Sequence, residues 1–361
     1  MKITLIITGL GMGGAERQVC DLADQFAAMG HHILLISMTG DTVNLPRSKS
    51  IKVFPLNMAK NPIGMIRTYL KARVLVKKFQ PDVVHSHMVH ANLFARLLRL
   101  TVPISKLIST AHSANEGGRV RMLAYRLTDH LCDISTKVSQ EAVDAFCAQG
   151  AVGKGRLLAM YNGIDIDRFS FSDDSRRRLR NGLNIEEKVP LLLAVGRLTL
   201  AKDYPNLLIA FQRIINAGSI AQLAIIGVGE EREQLISMVA ELGLCKRVHF
   251  LGLRHDVHEW MSAADIFVLS SAWEGFGLVV AEAMAWQRVV VATDCGGVKE
   301  VVGECGILVP PQNDVALANG IMLALQMDVA ESTNLGISAR ERIVTRYSLS
   351  AQSERWLSLY L

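Results

Sequence analysis

The residues with the clearest chemical potential lie in the run Ser270–Glu282, which places two carboxylates around a glycine-rich turn. Glu274 stands in the turn, and Glu282 follows with seven residues between, about one turn into an apolar helix predicted to begin near Leu278. The preceding apolar stretch, Ile266–Leu269, predicts a buried strand. A strand, a glycine turn and a helix N-terminus present free backbone N–H groups, an arrangement that binds anions.

Carboxylates beside an anion site indicate a ligand that also carries hydroxyl groups, because an ionised carboxylate is a strong acceptor for O–H donors. A ligand with both a diphosphate and hydroxyls is a nucleotide sugar. The alternative is that Glu274 lies on a surface loop and Glu282 on a helix, without a shared ligand.

Two cations form a second candidate group, because Arg197 and Lys202 follow the apolar strand predicted at Pro190–Val195 on one loop. Two cations there can clamp a diphosphate, and each charge-assisted hydrogen bond contributes about 1.5–3 kcal/mol. A bond that strengthens as the leaving diphosphate gains charge raises the rate about 10- to 100-fold. The alternative is that both are ordinary surface charges.

The elements that must position these groups alternate between strands and helices, which is typical of a doubly wound α/β fold. Apolar runs predict ten strands, at Lys2–Thr8, His32–Met38, Ile51–Leu56, Val83–His85, Lys106–Thr110, Pro190–Val195, Ala221–Ile226, Ile266–Leu269, Val289–Thr293 and Gly306–Val309. A further strand is predicted to end near Tyr161. Between them, Ser139 and Asp256 are predicted to cap helices. His112 directly follows a strand, and ligands of such sheets bind beyond the carboxyl ends of strands.

A dinucleotide site is a weaker interpretation of the first glycine loop. Gly9, Gly11 and Gly14 match G-x-G-x-x-G, which is typical of nicotinamide and flavin enzymes. The second strand, His32–Met38, however, ends without the acidic residue that binds a ribose, and Asp41 comes late and in a loop.

The composition excludes several classes of protein. A chain of 361 residues with 50% hydrophobic and 20% charged residues predicts about two ordered domains. No apolar run reaches the roughly 18 residues of a membrane span, and Lys2–Leu10 lacks a following cleavage site, so we expect a cytoplasmic protein. The six cysteines are scattered and predict buried free thiols in a reducing compartment.

The net charge of +5 is unevenly distributed. Residues 1–170 contain 21 Lys and Arg against 12 Asp and Glu, whereas residues 171–361 contain 18 against 22. Basic clusters with apolar neighbours suit an anionic membrane surface or a lipid-linked phosphate, and hence a peripheral position on the inner face of a membrane. The alternative is a solvated face. No aromatic-interleaved basic motif is present in this half, which disfavours nucleic acid.

These motifs resemble those of retaining glycosyltransferases of the GT-B fold, family 4 (glycosyltransferase group 1). Glu274 and Glu282 match the E-x7-E signature, "GRL…K" covers Arg197 and Lys202, and GMGGAER at Gly11–Arg17 is similar to the glycine loop. The resemblance covers nearly the whole chain. It implies two Rossmann-like domains that face across an interdomain cleft. Residues 1–168 lie on the acceptor side, residues 169–347 bind the nucleotide sugar, and the last helix, 348–361, packs back on the first domain.

The resemblance also implies roles for single residues. Glu274 positions the donor sugar, Arg197 and Lys202 hold the leaving diphosphate, and His112 faces the transferred sugar; an ordinary loop histidine is the alternative. The expected donor-binding residues are Gly14, Gly227, Gly229, Leu253, Gly275, Phe276, Gly277, Leu278 and Glu282.

Metal sites are the open alternative for two motifs. His85, His87 and His90 form one cluster, and Asp165 and Asp167 form a D-x-D. Family 4 chains carry similar runs at a strand end and at the interdomain crossing, so we expect strand-end packing or cleft lining and no metal.

The implied reaction is metal-independent transfer, with retained configuration, of a hexosyl or N-acetylhexosaminyl group. The donor would be a UDP- or GDP-sugar, with no cofactor. The acceptor would be a saccharide or a lipid-linked molecule, in bacterial surface polysaccharide or glycolipid synthesis. The alternatives are a nucleotide-sugar epimerase or hydrolase of the same fold, a non-catalytic binder of a nucleotide sugar, and a nicotinamide oxidoreductase.

Overall fold

A computed structural model describes the chain except for residues 60, 113–117, 151, 153–154 and 169–170 and the side chains of residues 119 and 168. The chain divides into two compact units. One contains residues 1–165 and 348–361, and the other contains residues 166–347. The domain boundary predicted from the sequence, after residue 168, lies three residues beyond the boundary between the two units. It adjoins residue 169, which the structure does not describe.

The first unit is built on a parallel sheet. Its strands are β1 (Lys2–Ile7), β2 (His32–Ser37), β3 (Lys52–Pro55), β4 (Val83–His87), β5 (Lys106–Ala111), β6 (Ile134–Lys137) and β7 (Leu157–Ala159). The helices between them are α1 (Gly14–Ala28), α2 (Pro62–Phe79), α3 (Val89–Leu98), α4 (Arg119–Thr128) and α5 (Gln140–Ala148). The strand order is β3-β2-β1-β4-β5-β6-β7.

The strand order of this unit reverses between β1 and β4. The chain leaves β1 toward β2 on one side and returns to β4 on the other, with Ile7 registered beside His87. Parallel sheets open a crevice at the carboxyl ends of their strands at such a point. The glycine loop after β1 and the residues that follow β4 and β5 therefore lie at this edge.

Alternation along β1 builds two cores, one on each face of the first sheet. Ile3 and Leu5 pack with α1 residues such as Phe26, while Ile6 faces the core shared with α2 and α3. The C-terminal helix Leu349–Tyr360 joins the α1 side through two aromatic residues. It thus belongs to the first unit although it is the last element of the chain.

The second unit repeats this plan. Its strands are β8 (Leu191–Val195), β9 (Gln222–Ile226), β10 (Val248–Gly252), β11 (Ile266–Leu269), β12 (Val289–Thr293) and β13 (Ile307–Val309). Its helices are α6 (Asp173–Gly182), α7 (Tyr204–Asn216), α8 (Arg232–Glu241), α9 (Val257–Ala263), α10 (Leu278–Ala285), α11 (Val298–Val302), α12 (Asp314–Gln326) and α13 (Val329–Tyr347). The C-terminal helix is α14. The parallel strands run in the order β10-β9-β8-β11-β12-β13.

The second sheet reverses its order between β8 and β11, which pair directly through Leu192 and Ile266. The loop after β8 carries Arg197 and Lys202, and the loop after β11 carries Glu274. These two loops therefore start from neighbouring strands at the point where ligands of such sheets bind.

The doubly wound α/β fold expected from the sequence is confirmed in both units. Each predicted strand is present within one or two residues, including β7, which ends two residues before Tyr161, whereas the short strands β6 and β10 had not been predicted. Ser139 caps α5 by accepting a hydrogen bond from the Ala142 N–H. Asp256 occupies the N-cap position of α9 as predicted, but its carboxylate makes no cap bond and instead accepts a 2.8 Å hydrogen bond from Arg254.

The expectation of buried thiols holds for half of the cysteines. All six are free, but Cys245 is exposed. Cys147 and Cys305 are half-buried. The remaining three, Cys20, Cys132 and Cys295, are buried.

Candidate active site

An ion pair between Lys202 and Glu274 connects the two loops at the switch point of the second sheet. The lysine side chain is 19% exposed and the glutamate side chain 15%. The Ser271 hydroxyl donates a 2.9 Å hydrogen bond to the same carboxylate oxygen. The fold thus holds a cation and a carboxylate in contact at one partly open position.

Backbone bonds fix the two loops to each other. The Ala272 N–H donates to the Ala201 carbonyl at 2.9 Å. The buried Ser270 hydroxyl donates to the Lys202 carbonyl at 2.8 Å. The charged pair therefore rests on a connected backbone scaffold.

Arg197 lies on the same loop as Lys202, with its side chain exposed. Within the described part of the chain no ion pair engages it. The preceding residue, Gly196, accepts a 3.1 Å hydrogen bond from the buried Tyr204 hydroxyl. Burial, with Glu274 nearby, raises the pKa of Tyr204, so this hydroxyl stays protonated and keeps donating at neutral pH. The loop backbone is anchored while its guanidinium remains available for a ligand.

The glycines after β9 are required by the backbone of this loop. Gly227 has a φ of +152°, and a Cβ there would lie 1.8 Å from the Gly196 carbonyl oxygen. A Cβ at Gly229 would lie 2.2 Å from the carbonyl oxygen of Leu198. Only glycine permits such an approach. Both predicted donor-binding glycines therefore support the loop that carries Arg197.

The turn after Glu274 leads into the N-terminus of α10. Gly277 is left-handed, with a φ of +83°, at the N-cap position, and Leu278 begins the helix. The Gly275 carbonyl accepts a 3.2 Å hydrogen bond from the Gly297 N–H. Phe276 is buried, with its ring 5.6 Å from that of Tyr347. The first N–H groups of α10 give this edge of the sheet a partial positive charge.

Two further donor-binding candidates lie on neighbouring elements of the second unit. Glu282 is half-buried, one turn into α10. Leu253 follows β10 and is 46% exposed. Both follow strands at the carboxyl-terminal side of the second sheet.

In the first unit, His112 follows β5 and contacts a second histidine. Its Nε2 lies 3.1 Å from Nδ1 of His87. Its Nδ1 is buried and has no hydrogen-bond partner among the described residues. Burial, assisted by the charge of the fully buried Lys137, lowers the pKa of His112 to about 4, so this imidazole is neutral at pH 7. It can exchange a hydrogen bond with a neutral hydroxyl.

Gly14 begins α1 at the glycine loop of the first unit. The Glu16 carboxylate folds back over this loop, since a Cβ at Gly13 would lie 2.3 Å from Glu16 Oε2. The Asn44 amide donates a 2.5 Å hydrogen bond to the Gly11 carbonyl. Side chains from α1 and from the segment after β2 thus hold the loop.

The motifs with an open metal alternative make contacts within the protein. His85 is buried between the Tyr360 hydroxyl and the Thr110 hydroxyl, each at 2.6 Å. Asp165 accepts a 2.9 Å hydrogen bond from Arg47. Across the described ranges, no group of three or more His, Cys, Asp or Glu side chains is arranged to hold a metal ion.

The structure brings some predicted residues together and adds others. Arg197, Lys202 and Glu274 share one edge of the second sheet, whereas His112 and Gly14 lie in the first unit. Three supporting residues, namely Ser271, Tyr204 and Lys137, were not predicted from the sequence, and His87 was named there only as a member of the histidine cluster. Ser271 is in the run that drew attention first, and its spacing of three from Glu274 was the available signal. The others act through long-range contacts that no local pattern reports.

Comparison with known proteins agrees with this architecture. Residues 175–342 match the family described as Glycosyl transferases group 1, and residues 12–168 match Glycosyltransferase Family 4. An uncharacterized glycosyltransferase of Methanocaldococcus jannaschii is 25% identical over 373 residues, covering 97% of this chain and 94% of that protein.

Two further relatives cover most of both chains. One is the N-acetylgalactosamine-N,N'-diacetylbacillosaminyl-diphospho-undecaprenol 4-alpha-N-acetylgalactosaminyltransferase of Campylobacter jejuni, 23% identical over 345 residues and covering 91% of each chain. The other is the crystal structure of Anabaena HepE in complex with UDP, with a TM-score of 0.86, 22% identity and 99% of each chain covered. The likeness to HepE shows the GT-B fold, and the two family matches, which together span nearly the whole chain, show that this protein belongs to the group 1 glycosyltransferases.

Proposed function

We propose that this glycosyltransferase moves a hexosyl or N-acetylhexosaminyl group from a UDP- or GDP-sugar to a saccharide or lipid-linked acceptor, with retention of anomeric configuration. The observation that carries the proposal is the contact between Lys202 and Glu274 at the switch point of the second sheet. A nucleotide sugar needs a cation for its diphosphate and an acceptor for its hydroxyls close together, and this pair supplies both.

The leaving diphosphate is held by positive groups on the second unit. Lys202 and the exposed Arg197 neutralise its oxygens, and the first N–H groups of α10 add the positive end of a helix dipole. These contacts strengthen as the bond to the sugar breaks and charge accumulates on the phosphate, so they accelerate the reaction. Because the protein supplies this charge itself, we propose that no metal ion or cofactor takes part.

Glu274 has a positioning role in this mechanism. When the diphosphate engages Lys202, the carboxylate accepts hydrogen bonds from the sugar hydroxyls, with Ser271 still oriented toward it. Glu282 and Leu253 lie further along the same edge, where the ribose and the base would bind. In the first unit, neutral His112 exchanges a hydrogen bond with a sugar hydroxyl.

Retention follows from attack on the same face that the phosphate leaves. The bond from the anomeric carbon to the phosphate oxygen breaks, and a bond from that carbon to the acceptor oxygen forms on the same side. The departing phosphate oxygen takes the proton of the acceptor hydroxyl. Glu274 stabilises the positive charge that develops on the sugar and forms no covalent bond to it.

A lipid-linked acceptor is favoured by the excess of basic residues in the first half of the chain. The name of the Campylobacter relative includes diphospho-undecaprenol, which agrees with this class of acceptor. The pathway we propose is therefore the synthesis of a bacterial surface polysaccharide or glycolipid.

The first experiment identifies the donor and tests the two charged residues. UDP, GDP and their sugars are screened for a rise in melting temperature, and UDP comes first because HepE binds it. Donor turnover is then measured for Lys202→Ala and Glu274→Ala, each of which we expect to lose at least 100-fold. Lys188→Ala and Glu186→Ala, which break an exposed ion pair in the same unit, are the matched controls.

Unchanged turnover in both site variants would overturn the proposal. Donor consumption at the same rate without any acceptor would favour an epimerase or hydrolase. Stabilisation by NAD with no response to UDP or GDP would favour a nicotinamide enzyme.

A further inference from the structure

Helix α2 turns an apolar stripe toward solvent. Ile63, Ile66, Leu70 and Val74 recur at intervals of three and four residues, which places them on one side of a helix. Their exposed fractions are 67%, 61%, 51% and 63%. The opposite side of α2, including Ala72, supplies the buried contacts to the sheet. The stripe is therefore additional to the face that the fold uses.

Helix α4 repeats this arrangement. Val120, Leu123 and Leu127 are 82%, 55% and 64% exposed, whereas Met122 and Tyr125 face the core. The spacing of three and four again defines a single side of the helix.

The two stripes lie on the same layer of the first unit, with α3 between them. The Tyr69 hydroxyl of α2 donates to the Leu97 carbonyl of α3 at 3.2 Å. The buried Arg96 guanidinium of α3 donates to the Tyr125 carbonyl of α4 at 3.1 Å. Leu97 and, just after α3, Leu100 add exposed apolar area of 49% and 64%. We call the outer side of α2, α3 and α4 the layer surface.

The charge of the layer surface has one sign. Lys and Arg number five in α2 and three in α4, and none of the three helices contains Asp or Glu; the one cation of α3, Arg96, is buried and does not reach the outer side. An apolar groove of about 480 Å³ between β3 and α2 continues the α2 stripe, with Phe54 and Leu56 on one wall and Leu70 and Val74 on the other. Lys71 also lines this groove.

We propose that the layer surface docks onto an anionic lipid bilayer. Apolar side chains on helices with basic neighbours insert at the boundary between headgroups and acyl chains, while Lys and Arg meet the headgroup phosphates. None of the helices in the described residues combines the length and hydropathy of a membrane span, so this contact is peripheral.

The charges distinguish a bilayer from the other occupants of such a face. A second copy of the chain would bring two all-basic helical layers together, which is repulsive. A nucleic acid would pair with the cations but would leave the apolar stripes in water. An anionic bilayer satisfies both features along α2 and α4, with the exposed apolar residues Leu97 and Leu100 between them.

The test is co-sedimentation of the full-length protein with vesicles of phosphatidylcholine alone or with one third phosphatidylglycerol. We expect binding to the anionic vesicles that weakens with salt. Arg67→Gln with Lys71→Gln should weaken partitioning about 25-fold, since each basic side chain contributes about fivefold. Ile63→Ser with Ile66→Ser should weaken it at least tenfold, because exposed apolar side chains supply the inserted area.

The matched control is Leu323→Ser with Val329→Ser in the second unit, at positions that are 53% and 83% exposed. This variant should bind the vesicles as the unchanged protein does. Melting temperatures identify any variant that fails to fold, and the Gln pair alters only exposed side chains. The proposal is overturned if the unchanged protein binds both vesicle types equally or neither. It is also overturned if the control loses as much binding as the stripe variant, or if the stripe variant instead dissociates a dimer of this chain.

Discussion

The Lys202–Glu274 contact makes an unusual prediction, because removing the negative charge of Glu274 should tighten the binding of the free nucleotide. In the unliganded protein the lysine is paired, and an incoming diphosphate must compete with a carboxylate for it. Glu274→Gln keeps the size of the side chain and an oxygen that can accept from Ser271. It removes the charge and replaces one acceptor oxygen with an amide NH2 donor.

The expected gain in nucleotide affinity follows from Coulomb's law. A diphosphate bound to the lysine would lie about 6 Å from the Glu274 carboxylate, since two charge-assisted contacts of about 2.8 Å span the ammonium group. With an effective dielectric constant of about 40, two unit charges at that distance repel by about 1.4 kcal/mol. The dissociation constant of UDP or GDP should therefore fall about tenfold. The gain should shrink as salt is added, since the pair is partly open to solvent.

The assay is isothermal titration calorimetry with the nucleotide identified by thermal shift, followed by transfer kinetics. Glu274→Gln should bind the nucleotide more tightly yet lose at least 100-fold in turnover, because the sugar loses its charged acceptor. Glu186→Gln, which neutralises an exposed glutamate in an ion pair of the same unit, should change neither quantity. Weaker nucleotide binding in Glu274→Gln would refute the assignment of this carboxylate to the sugar side of the site.

Three further predictions concern the fold that supports the site. The pKa of His112 is about 4 in the folded protein and about 6.5 in the unfolded chain, so its contribution to stability is complete above pH 6.5. The free energy of unfolding should fall by up to about 1.4 kcal/mol per pH unit between pH 6.5 and pH 4. Urea titrations should show a smaller loss of stability over this range in His112→Asn. In thermal melts, Gly227→Ala should destabilise the fold by about 2–4 kcal/mol, because its Cβ would clash with the Gly196 carbonyl. Gly218→Ala, at a φ of +93° with no atom within reach of a Cβ, should cost about 1 kcal/mol in the same experiment. Tyr360→Phe removes the partner of a buried imidazole and should cost about 1–3 kcal/mol by chemical denaturation, whereas Tyr69→Phe at an exposed hydroxyl should cost under about 0.5 kcal/mol.

Local patterns were sufficient for the elements and for much of the candidate site. Apolar runs followed by glycine turns placed Arg197, Lys202 and Glu274 at the ends of strands, because a buried parallel strand is a short continuous apolar segment. Strands β6 and β10 were not predicted, because β6 is short and β10 is only partly buried. The same reasoning also assigned Asp256 to a helix cap, although a neighbouring guanidinium competes for that carboxylate.

Long-range contacts decided the chemical state of the site. Lys202 and Glu274 are 72 residues apart, and only the pairing of β8 with β11 brings them together. His112 is neutral because burial and the charge of Lys137 on β6 disfavour its protonated form. Neither effect has a signature in the neighbouring sequence.

The sequence by itself determined the two α/β units, the glycine turns and the identity of the charged residues at the strand ends, since these depend on neighbours within a few positions. Only the tertiary structure decided which strand ends are adjacent and which side of a helix faces the core. The periodicity of α2 predicts a helix from Ile63 onward, but Ala72 rather than the Ile63 stripe is buried against the sheet. That choice depends on the volume available between α2 and its neighbours, because a close-packed core accepts the side that fits and leaves the other exposed.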